Sequence, residues 1–198
     1  MPENTPELFT ERLILRRFTQ QDIPALFEIY RDEQANTFLP WFPLKTLDEA
    51  EELFWRQYAA AYQKPRGYRY AICQKQDNVP IGYVHASMGE AHDFGYGLRS
   101  DFWHRGFATE AGGAVIAQLR QDGLPFLTAT HDIANPRSGQ VMQRLGMRYA
   151  YTYEEQWQPK NLLVRFRMYQ LNLAQPDAPI YSGYWDRYAV HFVEQDIS

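Results

Sequence analysis

Apolar and polar positions along this chain change period several times, and each change predicts an element. Arg12 to Arg17 alternates and reads as a strand. Ile23, Leu26, Phe27 and Tyr30 then fall at helical spacing behind Asp22-Ile23-Pro24, which suits a helix start. Thr37 to Pro43 carries two prolines and three aromatics, so it reads as an irregular loop. Thr46-Leu47-Asp48-Glu49 matches a capping box for a second helix running to about Gln63. Tyr68 to Gln74 and Ile81 to Ser87 are β-rich, with Asp77-Asn78 between them, and predict a hairpin. Phe94 to Leu98 predicts a further strand, and Ala108 to about Gln121 a helix with Ala108, Ala111, Val115 and Leu119 on one face. Leu124 to His131, Arg148 to Glu154 and Leu162 to Leu171 complete the strands, the last two as a pair. Gly112 and Gly113 each cost a helix interior about 1 kcal/mol relative to Ala, which predicts a close contact of that helix with the sheet.

Residues 1–173 therefore read as one α+β domain. Beyond it, residues 174–198 form a Pro-containing linker and a tail carrying Tyr181, Tyr184, Trp185, Tyr188 and Phe192. So aromatic a tail is expected to pack on its own domain or on a dimer partner, the chain being a monomer or homodimer. A second reading has it close a substrate cleft.

One segment carries chemistry. Trp103-His104-Arg105-Gly106-Phe107-Ala108-Thr109-Glu110-Ala111 runs from a strand through a small-residue turn into a helix. A helix N-terminus offers unpaired N–H groups and the positive end of a dipole, and small residues there let a pyrophosphate approach the main chain. Arg105 supplies a charge for the phosphate. A P-loop is excluded because no Gly-x-x-x-x-Gly-Lys-Ser/Thr string occurs, and the dinucleotide fingerprint fails because this turn lies mid-chain. What remains is Gln/Arg-x-x-Gly-x-Gly/Ala, which residues 103–108 match except for Trp103 in the first place.

Composition narrows the class. The 198 residues, 45% hydrophobic and 22% charged, fit one sizeable core. No apolar run approaches membrane-spanning length, the N-terminus lacks signal-peptide features, and the single Cys73 forms no intrachain disulfide, so a cytoplasmic protein without membrane contact is expected. A net charge of −4 argues against nucleic acid as partner and suits a cationic amine. No metal is expected.

Read together, Thr10-Glu11-Arg12-Leu13-Ile14-Leu15-Arg16, Phe38-Leu39-Pro40-Trp41, Ile81-Gly82-Tyr83, Gly95-Tyr96-Gly97-Leu98, the phosphate turn, Asn135-Pro136-Arg137-Ser138 and Leu145-Gly146-Met147 resemble the GNAT superfamily of acyl-CoA-dependent N-acetyltransferases. Within it they resemble the branch typified by the ribosomal-protein N-terminal acetyltransferases RimJ and RimL. The resemblance covers roughly residues 8–173. It implies the GNAT (acyl-CoA N-acyltransferase) fold, a mixed, mostly antiparallel sheet of about seven strands with helices on both faces. It also implies acetyl-CoA as cosubstrate and transfer of its acetyl group to a primary amine by direct attack in a ternary complex.

The implied cofactor residues are Leu98, Trp103, His104, Arg105, Gly106, Phe107, Ala108, Thr109, Asn135 and Ser138. Two neighbouring parallel strands, Phe94 to Leu98 and Leu124 to His131, would splay to hold the pantetheine arm. A backbone N–H near Gly95 to Leu98 would stabilise the oxyanion, a contribution of about 3 kcal/mol. Ser138 would protonate the leaving thiolate; Asn135 would contact the arm, although helix capping alone also explains it. For the base the sequence offers His131, with a solvated strand end as its alternative, then Asp93 acting through water, then Glu154 and Glu155. Phe38 and Trp41 would wall the acceptor cleft or merely fill core, and Tyr96 is similarly open.

Amine basicity bears on the acceptor. A lysine-like amine of pKa about 10.4 pays about 4.6 kcal/mol to be neutral at pH 7, whereas an α-amine near 7.8 pays only about 1 kcal/mol. A protein N-terminal α-amine is the first expectation; an amino acid, polyamine or aminoglycoside is the alternative. A non-catalytic acyl-CoA-binding module is the reading from a different class.

Overall fold

A computed structural model describes residues 3–195 and residue 197. The alternating run after Arg12 forms β2 (Leu13–Arg16), flanked by the two-residue β1 (Leu8–Phe9). With β3 (Tyr68–Gln74), β4 (Pro80–Ala86) and β5 (Phe94–Leu98) they make an antiparallel sheet in chain order. The β3–β4 hairpin turns through Asn78 at φ 55°. A second antiparallel sheet holds β6 (Phe126–Asp132), β7 (Arg148–Trp157), β8 (Leu162–Asn172) and β9 (His191–Phe192) in the order β6-β8-β7-β9. The seven longer strands are the seven read from the sequence. A single parallel bridge, Asp93 to Thr128, joins the two sheets, and beyond it β5 and β6 diverge.

Helices cover both faces. On one side α1 (Ile23–Arg31) and α3 (Leu47–Leu53) bury Leu26, Ile29, Tyr30 and Leu53 against Ala71, Cys73 and Tyr83. Thr46 and Glu49 form the expected capping box. The chain continues through a π-helical stretch, Phe54–Ala59, into α4 (Ala60–Tyr62). On the other side α5 (Phe107–Gln121) buries Ala111, Val115 and Leu119 against Leu15, Ile72 and Val84, each larger side chain contributing about 1.5–3 kcal/mol. The short α6 (Pro136–Arg144) packs beside it.

One reading changes. The contact that explains Gly112 is with α6, not the sheet: a Cβ there would stand 2.8 Å from the Leu145 side chain, whereas Gly113 faces open space. Ahead of the expected loop at Thr37 to Pro43, a short helix not read from the sequence, α2 (Glu33–Asn36), forms where the Asp32 carboxylate accepts the Ala35 N–H at 3.0 Å.

The tail lies on the second sheet of its own chain. Tyr184 and Tyr188, from and just beyond α7 (Gly183–Arg187), stack on Tyr153 at 5.1 and 4.9 Å, and Trp185 meets Tyr151 edge-on. Strand β9 pairs with β7, and Arg167 bonds Glu194. Among the described residues no helix is long and apolar enough to cross a membrane.

Candidate active site

The divergence of β5 from β6 leaves backbone groups unpaired. Ser87 N–H donates to the Asp93 carbonyl and Arg99 N–H to that of Ile81, so the odd-numbered residues of β5 carry the bonds to β4. Antiparallel alternation then turns the N–H groups of Tyr96 and Leu98 toward the gap. The Leu98 carbonyl, also on that side, accepts the Trp103 indole N–H at 3.0 Å.

The turn at the mouth of the gap is built from left-handed backbone. His104 has φ 60° and Gly106 φ 78°, so the chain reverses sharply and the first N–H groups of α5 face outward without intrahelical partners. Arg12, just before β2, fixes this turn: its guanidinium donates to the Arg105 carbonyl at 2.9 Å and lies over the Phe107 ring.

A cleft of about 630 Å³ joins the turn to the gap. Of the expected cofactor residues, Leu98, Trp103, His104, Gly106, Phe107, Ala108, Thr109, Asn135 and Ser138 line it, as do Tyr96 and Phe38. The Asn135 side chain makes no capping bond, which removes the simple explanation for that residue. The Tyr96 hydroxyl donates to the Ser138 carbonyl at 2.7 Å and lies 3.1 Å from the Ser138 hydroxyl, tying β5 to α6 across the gap.

Four expected residues, Arg105, Trp41, His131 and Asp93, do not line the cleft. The Arg105 side chain turns back over Phe102, and it is the Arg105 carbonyl that is engaged, by Arg12. Trp41, partly buried, packs on Tyr30 against the core and donates its indole N–H to Asn36. His131 is buried under α6, where a Cβ on Gly139 would stand 2.5 Å from Nε2; Nδ1 meets the Asp132 carbonyl. Burial pushes its pKa down, and it does not line the cleft. On β6, Leu127, Ala129 and His131 all fall on the face covered by α5 and α6.

Asp93 stands at the closed end of the gap, half-buried, where desolvation raises its pKa to about 6. Glu154 is committed to Arg165, and Glu155 adjoins Tyr188. Sequence reading missed Arg137 and Arg144, which bring cationic charge to the cleft from α6. Their spacing with Gln140 and Val141 is one helical face, the signal that would have found them. It also missed Lys160, in the β7–β8 turn, whose ammonium donates to the carbonyls of Asn36 and Thr37 at 3.0 and 3.2 Å and so straps the hairpin onto the end of α2.

This arrangement fits acetyl-CoA. Outward N–H groups and Arg137 and Arg144 suit phosphates, the gap suits a narrow amide-bearing arm, and unpaired strand N–H groups suit a carbonyl oxygen. Among the described residues no cluster could hold a metal ion.

The comparisons agree with the geometry. The chain is 28% identical over 147 residues to the uncharacterized N-acetyltransferase YoaA of Bacillus subtilis, covering 71% of this chain and 82% of that one. Its fold superposes on the ribosomal-protein-S5-alanine acetyltransferase of Vibrio fischeri with a TM-score of 0.70 at 15% identity, over 87% of this chain and 100% of that one. The spermidine N-acetyltransferase of Vibrio cholerae, solved with CoA and spermine, gives 0.70 at 14% identity over 83% and 98%. Residues 12–148 match the acetyltransferase (GNAT) domain, and the chain belongs to that family of acetyl-CoA-dependent N-acetyltransferases.

Proposed function

We propose that this protein acetylates a protein N-terminal α-amine in the manner of the RimJ and RimL enzymes, by direct attack in a ternary complex, in the cytoplasm. The observation that carries the ternary complex is the gap between β5 and β6, which is open toward both the turn at Gly106 and the side of α2. Acetyl-CoA supplies a thioester activated for attack. The main-chain N–H groups at the start of α5, with Arg137 and Arg144, hold its phosphates, and Asn135 contacts its arm. The N–H of Leu98 or Tyr96 receives the carbonyl oxygen as negative charge develops there. As the nitrogen–carbon bond forms and the carbon–sulfur bond breaks, the Ser138 hydroxyl, oriented by Tyr96, gives its proton to the sulfur, and the proton shed by the acylated nitrogen returns through solvent to restore the hydroxyl.

The α-amine is favoured by its basicity, since about one part in seven of it is neutral at pH 7 without help, against less than one in a thousand of a lysine-like amine. The resemblance of Thr10 to Arg16 and of the later segments to the RimJ and RimL branch supports the same choice. A small amine is the second reading, supported by the fold-level likeness to the spermidine enzyme. The test is thiol release from acetyl-CoA against N-terminal peptides, polyamines, amino acids and aminoglycosides, with CoA binding by calorimetry. Turnover confined to peptides supports the proposal; turnover confined to small amines replaces it, and binding without turnover leaves an acyl-CoA-binding module.

A further inference from the structure

We propose that His85 receives and orients the acceptor nitrogen: its imidazole, pressed against Gly95 on the sheet face opposite α5 and α6, accepts an N–H hydrogen bond from the amine and then its proton. This inference rests on the acetyl-transfer reading above and names a residue for its unassigned half.

Strand alternation places Phe94, Tyr96 and Leu98 toward α5 and α6, where the cofactor residues lie, and Gly95 and Gly97 toward α1. The cleft reaches this face at Gly97; Gly95, two residues back on the same face and half-buried like it, lies just beyond the cleft lining, and an amine arriving from the α1 side meets both. Across β4, Tyr83 covers Gly97 and His85 covers Gly95: a Cβ on Gly95 would stand 2.6 Å from His85 Cε1, so only glycine admits the ring. The imidazole stacks at 6.0 Å on Tyr83, itself stacked on Tyr30. It is half-buried and has no hydrogen-bond partner among the described residues, whereas His131 is sealed under α6 with Nδ1 against the Asp132 carbonyl and Nε2 buried.

The ionisable groups around it are Arg69, its register partner on β3, Tyr83, Tyr30 on α1, and Asp93, two residues before Gly95 on the same face. Burial, aided by the Arg69 charge, holds its pKa down to about 4, so the ring is neutral at pH 7 and keeps a free lone pair. Such a ring does not deprotonate a free ammonium ion. It accepts the proton once the new nitrogen–carbon bond has made the nitrogen acidic, and releases it to solvent as the thiol leaves.

The experiment compares wild type, His85→Ala and His85→Gln with an accepted amine. The expected result for His85→Ala is a 10- to 100-fold fall in kcat (about 10²–10⁴ for a full acid–base role), with CoA affinity within about twofold of wild type. The wild-type kcat/KM levels off above the amine pKa, whereas the variant continues to rise as hydroxide substitutes. His85→Gln, which accepts a hydrogen bond but no proton, recovers acceptor KM and not kcat. Full turnover with a wild-type pH profile, or loss of CoA affinity in step with turnover, overturns the proposal. Should the Ala variant fail to fold, His85→Gln decides by its kcat and pH profile. Wild type without turnover on any amine sinks the transfer reading itself, whereas normal wild-type turnover with an unaffected His85→Ala sinks only this inference.

Discussion

Arg12 and Glu110 meet in a three-point clasp between β2 and the first turn of α5. The guanidinium Nε and Nη2 reach one carboxylate oxygen at 2.7 and 2.6 Å, and the Arg12 backbone N–H reaches the other at 2.9 Å. A partly exposed ion pair contributes little stability alone, about 0–1 kcal/mol. Here the same guanidinium also holds the Arg105 carbonyl, so the clasp sets the angle of the turn that faces phosphate.

Arg12→Ala is therefore expected to weaken CoA binding about fivefold to tenfold, although Arg12 does not line the cleft, while shifting the melting temperature by only a few degrees. Calorimetric titration with CoA measures it. An unchanged affinity would show that α5 holds the turn by itself.

Gly106→Glu is expected to abolish CoA binding, because it puts bulk and negative charge at the phosphate position and forces a side chain into backbone at φ 78°. Gly106→Ala isolates the backbone part, a destabilisation of about 1 kcal/mol. If the Glu variant bound CoA normally, the pyrophosphate would have to lie elsewhere.

Ser138→Ala is expected to lower turnover about tenfold with little change in CoA affinity; the modest figure reflects a thiol of pKa about 8.5, already a tolerable leaving group. Tyr96→Phe removes the bond to the Ser138 carbonyl and is expected to act in the same direction. Full turnover by Ser138→Ala, where chemistry limits the rate, would free Ser138 of the acid role.

Asp93 supplies a stability signature. Its folded pKa, raised to about 6, lies above the usual value of about 3.9, so its contribution is present below pH 4 and lost as pH rises through 6. Asp93→Asn is expected to gain about 1–2 kcal/mol on wild type between pH 4 and pH 7, because the amide carries no buried charge. Parallel melting curves at the two pH values measure the difference; one that does not grow would place the carboxylate in water.

Lys160→Ala cuts the strap between the β7–β8 turn and α2. The acceptor KM is expected to change about threefold to tenfold while CoA affinity holds, since the strap lies away from the cofactor turn. Steady-state kinetics against each substrate separates these effects.

Most elements were legible because their signals are local. The alternation of Tyr68 to Gln74, the 3.6-residue spacing of Ile23 to Tyr30 and the capping box at Thr46 depend only on near neighbours in sequence. The four-residue α2 was missed because it is too short to show a period and is held by a cap from Asp32. His131 and Asn135 exchanged standing for a similar reason: α6 folds over the face of β6 that carries the histidine and buries it, and no local rule forecast that Asn135 would leave its cap unmade. His85 carried no motif at all, since its importance comes from facing Gly95 across a strand pair.

By itself the sequence determined the α+β class, the seven longer strands, and the turn from His104 to Thr109, because periodicity, capping and turn composition are properties of short segments. Tertiary structure alone decided which side chains share the gap. The joining of Tyr96 to Ser138, the withdrawal of His131 and Trp41, and the reach of Lys160 to α2 all depend on which face each strand presents and where two strands part. Those are contacts between residues far apart in the chain, and no window of neighbouring residues contains them.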